Sequence, residues 1–345
     1  MLTTKITSSL VQGTKYIGTH HGTFHCDEAL AIALLKCLPQ YTEHQVLRTR
    51  DMSLLNQCDI VVDVGGEYNA SSFRFDHHQK TFMTTFPQHE TKLSSAGLVY
   101  FHFGKEIIKF ISTVSLSDSI VDLLYEKMYD GFIEHIDGID NGINVSDGNL
   151  NYNVSTTLSS RVSFLNPGWN QDSSPTATNA AFLKAVVLTG EEFMERVHHL
   201  TTSWLPARSI VQEVLASRYT VHESGKILKL DDYCPWKSHL YTLEKEQKLG
   251  EMIQFVLYKD TLGNMWRIQG VNIKEGGFSL RTSLPEEWRG LRNEELSSMS
   301  SIPGCTFVHA GGFIGGNSTY DGALQMAIAS LEVHDEESKR QKTMP

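Results

Sequence analysis

Residues 58–78 read CDIVVDVGGEYNASSFRFDHH, and the fold follows from how this stretch is parsed. Ile60, Val61 and Val62 form an apolar, β-branched run that leads to Asp63, Val64 and the pair Gly65-Gly66. Such a run has no polar alternate positions. It predicts a strand buried on both faces, as in a parallel sheet covered by helices. A second short strand over residues 73–75 then delivers Asp76-His77-His78. On the N-terminal side, residues 15–19 predict a strand that runs into a Gly/His loop, and residues 46–49 predict another. Between them Asp27 or Glu28 opens a helix, ALAIALLKCL, which stops at Pro39. On the C-terminal side, residues 94–111 and 120–136 carry amphipathic helical periodicity. This alternation implies an α/β fold with a mostly parallel sheet.

The rest of the chain has a different texture. Residues 144–178 are rich in Asn, Ser, Thr, Gly and Pro and read mostly as loops. Residues 179–218 return to helical periodicity, interrupted near Leu205-Pro206, as suits a connector. From Lys226 onward, ILKL, MIQFVLY and WRIQGVNI read as strands of a smaller C-terminal α/β domain. A Gly-rich run over residues 309–316 precedes a last helix over 323–331. The expected organisation is a disordered lead-in over 1–14, a metal-binding catalytic domain over 15–178 and a helical connector over 179–222. A substrate-binding domain over 223–331 and a disordered charged tail over 332–345 follow, with the metal cleft between the two domains.

The length of 345 residues suits two domains. No run of 18 apolar residues occurs, so a membrane span is not expected. A net charge of −10 argues against an extended duplex, whose phosphates call for a basic surface. A short or single-stranded acidic substrate stays compatible. The five cysteines are scattered, odd in number and without a CxxC pair. That usage points to a reducing, intracellular compartment, with mitochondrion, nucleus and cytoplasm all open, and to no Cys-based zinc site.

Four segments concentrate His and Asp: HHGTFHCDE over 20–28, Asp63, Asp76-His77-His78, and His135-Ile136-Asp137-Gly138-Ile139-Asp140. Three of them follow predicted strands. In an open α/β sheet ligands gather at the carboxyl ends of strands, so these three should converge. A carboxylate at the end of a buried strand is costly unless its charge is compensated, and divalent cations provide that compensation. Mixed imidazole and carboxylate ligands suit Mn²⁺, Fe²⁺, Co²⁺ or Zn²⁺ better than Ca²⁺. A carboxylate shared between two cations makes a phosphoryl-transfer clamp that needs no protein nucleophile.

The sequence resembles the DHH phosphoesterase superfamily in its DHH triplet, in the preceding VVDVGG and in its His/Asp-rich first loop. It resembles the MYG (melanocyte proliferating gene) family of 3′–5′ RNA exonucleases more closely still. GTHHGTFHCDEALA, RTRD, CDIVVDVGGEY, RFDHHQ, LSSAGLVY, IDGIDNG, SWLPAR, WRGLR and IPGCTFVHAGGFIGG all look like that family, over residues 15–331. The resemblance implies two divalent metal ions, Mn²⁺ first, with Mg²⁺, Co²⁺, Fe²⁺ or Zn²⁺ as alternatives. His20, His25 and Asp63 would hold one. Asp27, Asp63, His77 and Asp137 would hold the other, with Asp63 bridging and catalytic. His78 would be catalytic beside them, donating to the phosphate. Relatives often carry Asp at the position of His25, and the extra imidazole lowers the negative charge here. His20 sits one residue further from His25 than that pattern expects, so His21 competes with it as a ligand. The implied activity is hydrolysis of single-stranded RNA or short oligonucleotides, with a homodimer left open. A pyrophosphatase or small phosphate-ester hydrolase is one alternative, and a non-catalytic RNA- or nucleotide-binding protein is another.

Blander readings compete at single positions. Asp76 is expected to orient His77 rather than to bind metal. Glu28 reads equally as an acid favoured in a first helical turn. Asp140 and Asn141 read as a turn, and His135 as structural. Cys26 lies between residues that face the site, so it should face the core as an inert thiol. In the C-terminal part, Gly311, Gly312, Gly315 and Gly316 are expected to cradle phosphate, against a plain tight turn. Arg281, Arg289 and Arg292 are candidates for phosphate grip. Trp266, Trp288 and Phe313 could stack bases, although core packing suits any one of them better.

Overall fold

The computed structural model describes residues 4–260 and 262–343, and the chain divides into two compact units after Thr202. The first unit is built on a six-stranded sheet. Its strands are β1 (Ile6–Thr7), β2 (Tyr16–Thr19), β3 (Gln45–Arg48), β4 (Ile60–Val62), β5 (Tyr68–Asn69) and β6 (Arg74–Phe75). They lie in the order β1-β3-β2-β4-β6-β5, all pairs parallel except β5 with β6. The register sets Gly18 beside Val61 and Val62 beside Phe75. The carboxyl ends of β2, β4 and β6 are therefore neighbours, and they release His20, Asp63 and Asp76 at one edge.

The helices of this unit are α1 (Cys26–Lys36), α2 (Met52–Leu55), α3 (Ser95–Ile111), α4 (Asp118–Met128), α5 (Glu134–Asp140), α6 (Leu158–Ser163) and α7 (Pro175–His199). The sequence of α1 is apolar nearly all round, which predicts burial on every side. All eleven of its residues are buried, and it packs against α3 and α7. On the other face of the sheet Tyr16, Leu47 and Val61 meet Leu55 of α2 and Cys58. Ser94 caps α3, its hydroxyl accepting the Gly97 N–H. Between α4 and α5 the helix continues through a π-helical turn over Tyr129–Ile133, which adds a residue to the turn and re-aims the helix after it.

The second unit holds β7 (Ile227–Leu230), β8 (Phe255–Asp260), β9 (Met265–Gly270), β10 (Cys305–Val308) and β11 (Ile314–Asn317), in the order β10-β11-β9-β8-β7. Only β7 and β8 pair in parallel. Its helices are α8 (Leu205–Ala216), α9 (Arg218–Val221), α10 (Trp236–Glu246), α11 (Asn293–Ser300) and α12 (Tyr320–Thr343). Period-two alternation along β8 serves two cores. Phe255 and Leu257 face Leu296 and Met326, while Val256 and Tyr258 face Val211, Trp236 and Leu240.

Three expectations need correction, and a fourth needs only a detail. The polar lead-in is not disordered over its described residues: Ile6–Thr7 extends the sheet beside β3, with the Val46 N–H bonded to the Lys5 carbonyl at 2.8 Å, while residues 1–3 lie outside the described ones. An edge strand needs only backbone partners, which composition does not reveal. Residues 144–178 are mostly loop, as expected, with α6 formed within them and α7 starting at Pro175. The helical connector is not a separate body, because α7 packs on α1 while α8 packs on α10 and β7. The charged tail continues α12 to Thr343, with no proline or glycine to stop it. Its last two residues lie outside the described ones.

Candidate metal centre

The site is assembled at the carboxyl ends of β2, β4 and β6. His20 follows β2 and is buried, with Nε2 3.0 Å from Glu28 Oε1 and 3.4 Å from Asp63 Oδ2. Its Nδ1 meets the His21 carbonyl at 3.2 Å. His21 itself is exposed, so the inward residue of the pair is His20. Glu28 is completely buried in the first turn of α1, and both its oxygens accept the His25 N–H at 3.0 Å. Its role exceeds that of a first-turn acid. His25 caps the helix and groups with His20, Glu28 and Asp63 closely enough to share one cation.

Asp63 ends β4 in the left-handed region, at φ 57°. That conformation costs a non-glycine residue about 1–2 kcal/mol. Two contacts hold it there: its N–H bonds to Phe75 O at 3.1 Å, and the Ser95 hydroxyl lies 3.4 Å from its Oδ1. The turn aims the carboxylate between two imidazoles, His20 on Oδ2 and His77 at 3.6 Å from Oδ1.

Asp76 orients His78, not His77 as expected. Its Oδ1 accepts from the His78 N–H at 3.1 Å and engages Nδ1 at 2.7 Å, while its Oδ2 accepts the Gly66 N–H at 2.6 Å. His77 is left with a buried Nε2 that makes no hydrogen bond. Carboxylate oxygens surround it: Asp140 at 3.1 Å, Asp63 at 3.6 Å and Asp27 at 3.7 Å.

Asp137 is not part of this cluster. Its Oδ1 accepts from the Ser94 N–H at 2.9 Å and hydroxyl at 2.7 Å, and its Oδ2 from Tyr129 at 3.0 Å. It fills the space beside Gly97, where a Cβ would lie 2.3 Å from Oδ1. Asp140, one turn further along α5, groups with Asp27 and His77. Both Asp residues follow the π-turn on nearly the same face, so spacing alone could not choose between them. Asp27 is itself braced by the Ser95 and Ala96 N–H groups. The free N–H groups that open α3 thus receive two buried carboxylates, Asp27 and Asp137.

The electrostatics fit a bound cation. Burial works against charge on His20, yet its bonds to Asp63 and Glu28 win and raise its pKa to about 10. His77 is raised against its burial to about 11 by Asp140 and Asp63. Burial, then the like charges of Asp140 and Asp63, hold the Asp27 carboxyl well above the usual range. Burial opposes ionisation of Asp63, but His20 and His77 keep it below that range. Protons on imidazoles here occupy places built for positive charge. The orphaned His77 nitrogen and the nitrogen–oxygen donor set suit a divalent transition metal. Cys26 is buried and burial pushes its thiol up, but it lines the cavity at this site and does not face only the core as expected. His135 is exposed, and Asn141 ties the turn to Lys92 O.

A cavity of about 600 Å³ opens onto the cluster. His25, Cys26, Asp27, Asp63, His78 and Asp140 line it. So do Ser155, Ser159, Ser160, Ser163 and Phe164, from the segment read as loop.

In the second unit most candidate side chains have internal work. Arg281 is 3% exposed and pairs bidentately with Glu244, both contacts at 2.8 Å. Arg289 donates to Leu284 O and Ser283 Oγ. Arg292 is exposed before α11. Gly315 and Gly316 lie in β11, where a Cβ would press on Phe307 O at 3.1 Å and Thr306 Oγ1 at 2.6 Å respectively. Gly311 and Gly312 make the hairpin turn, Gly312 at φ 67°. Trp288 is buried and Trp266 packs on Tyr320, so both belong to the core. Phe313 and Gly311 line a separate cavity of about 830 Å³ with Tyr233, Tyr241 and Phe278.

No helix among the described residues is long and apolar enough to cross a membrane. The family model MYG1_exonuc, described as an uncharacterised protein family (UPF0160), matches residues 16–331. The chain is 52% identical to the MYG1 exonuclease of Mus musculus over 323 residues, 91% of this chain and 84% of that one. It is 50% identical to the MYG1 protein of Dictyostelium discoideum, over 91% of this chain and 96% of that one. Among solved structures, a pGpG-specific phosphodiesterase, PggH, from Vibrio cholerae aligns over 92% of this chain and 97% of its own. At 14% identity and a TM-score of 0.27 that likeness carries no argument. The family model spans most of the chain and the relatives are half identical to it, so the chain belongs to the MYG1 exonuclease family.

Proposed function

We propose that this protein is a two-metal phosphodiesterase that shortens single-stranded RNA or short oligonucleotides from the 3′ end. The carrying observation is the position of Asp63, whose two oxygens face the His20 and His77 groups. His20, His25, Glu28 and Asp63 would hold one divalent cation, and Asp27, Asp63, His77 and Asp140 the other. When bound, such cations stabilise charge on a phosphoryl group and acidify water. The protein's own part is positioning. Asp63 holds its strained turn so that one carboxylate serves both groups. Asp76 fixes the His78 ring through Nδ1, which leaves Nε2 to donate a proton or hydrogen bond to the substrate phosphate. The pKa of His78 is raised by that bond to Asp76, which favours the donating form. Mn²⁺ fits the donor set best. The 3′–5′ direction and the RNA preference rest on the family.

A non-catalytic binding protein is disfavoured because every ligand position carries a side chain able to coordinate. The test is a time course on 5′-labelled single-stranded RNA with Mn²⁺, run beside Asp63→Ala. A ladder shortening from the 3′ end is expected for the wild type, with a loss of about a thousandfold or more in the variant. Equal turnover by Asp63→Ala would end the two-metal reading, and an inert wild type would end the RNA reading.

A further inference from the structure

We infer that the wall formed by α6 and Phe164 is a nucleoside subsite, in which the nucleobase stacks on Phe164 and the ribose meets the neighbouring serine hydroxyls. This deepens the proposed phosphodiesterase reading and rests on it. Phe164 is 85% exposed, although it follows directly on α6 and lines the cavity that also contains His78 and Asp140. An aromatic ring left in water beside a charged cluster gains nothing in the free protein. It gains a partner when a flat π-system enters.

The position of this wall is not left to chance. Two residues after Phe164, Asn166 clamps the first metal-binding loop from both sides. Its Oδ1 accepts the Phe24 N–H at 3.0 Å, and its Nδ2 donates to Phe24 O at 2.8 Å. Phe24 immediately precedes His25, so the clamp ties the exit of α6 to a candidate metal ligand. The backbone that carries the ring is thereby tied to the loop that carries His25. Along α6, Ser159 and Ser163 are four residues apart and share a helix face. Their hydroxyls both donate and accept, as ribose hydroxyls require. The cavity, about 600 Å³, is within the range of small-ligand sites. The apolar residues Phe24, Ile136 and Ile139 also line it. A site with this mixture takes a nucleoside monophosphate unit; a bare phosphate would use only half of it.

The test compares binding of AMP and of ribose 5-phosphate, which lacks the base, to the full-length Mn²⁺-loaded protein by calorimetry. AMP should bind about tenfold more tightly or better. Phe164→Ala should remove that preference with Mn²⁺ content unchanged, and Phe164→Tyr should keep it. Phe164 is exposed, so the substitution does not threaten folding. Equal affinities in the wild type, or a preference that survives Phe164→Ala, would overturn the subsite while Mn²⁺ binding leaves the metal centre standing. If the protein binds neither Mn²⁺ nor AMP, both the subsite and the phosphodiesterase reading fall.

Discussion

The two units treat their charged side chains in opposite ways. In the second, Arg281 and Glu244 meet in a bidentate pair, and Arg281 also bonds the Ile253 carbonyl. In the first, Asp27, Asp63 and Asp140 crowd a His77 nitrogen that has no hydrogen bond. The Arg281–Glu244 pair balances its own charge, although the Arg281 Nε makes no hydrogen bond. The aspartate cluster is built at a cost in desolvation and like-charge repulsion that an added positive charge relieves. Clustered charged residues therefore signal a ligand when their partners leave like charges unbalanced, and architecture when the charges cancel. By that criterion the candidate metal centre lies on the first unit.

The sharpest way to break this comparison is within α5, where two aspartates three residues apart differ in satisfaction. Asp140→Asn should lower Mn²⁺ content and reduce turnover by about a hundredfold or more. Asp137→Asn should keep its metal and cost about 1–3 kcal/mol of stability, because an amide offers Ser94 and Tyr129 poorer acceptors. Metal analysis and denaturant unfolding on both variants decide it, and the reverse pattern would restore Asp137 as the ligand. Next comes the internal pair of the second unit. Arg281→Ala should cost about 3–5 kcal/mol by leaving Glu244 buried and unpaired. Turnover per folded molecule should change less than about twofold. A raised KM for RNA at unchanged stability would return Arg281 to phosphate binding. The smallest effect is expected at exposed Arg292, where Arg292→Ala should shift stability by no more than about 0.5 kcal/mol.

Much of the first unit was legible because periodicity and strand ends are local signals. The IVV run, the all-apolar α1 and the motifs that follow β2, β4 and β6 were enough to bring His20, Asp63 and His77 together. Choices between neighbours were not legible. Glu28 looked like a helix-start acid, and only its burial against His20 and His25 shows more. Asp76 had two adjacent histidines to serve, and backbone geometry after β6 gave it His78. The α6 wall was hidden by composition, since Ser-rich stretches read as loop whether or not they fold. LSSRVSF does hold one signal, serines four apart followed by an aromatic residue.

The sequence by itself determined the α/β class, the family, the donor types and the strand ends at which they gather, because these depend on side-chain chemistry and residue spacing. Tertiary structure alone decided between neighbours: His20 is buried where His21 is exposed, Asp140 rather than Asp137 stands with Asp27 and His77, and His78 rather than His77 pairs with Asp76. It also decided that Arg281 belongs to Glu244 and that Phe164 stands open beside the metal centre. The physical reason is that satisfaction is a property of contacts. A carboxylate or an imidazole acquires its role from the partners that long-range packing supplies or withholds, and no local spacing encodes that.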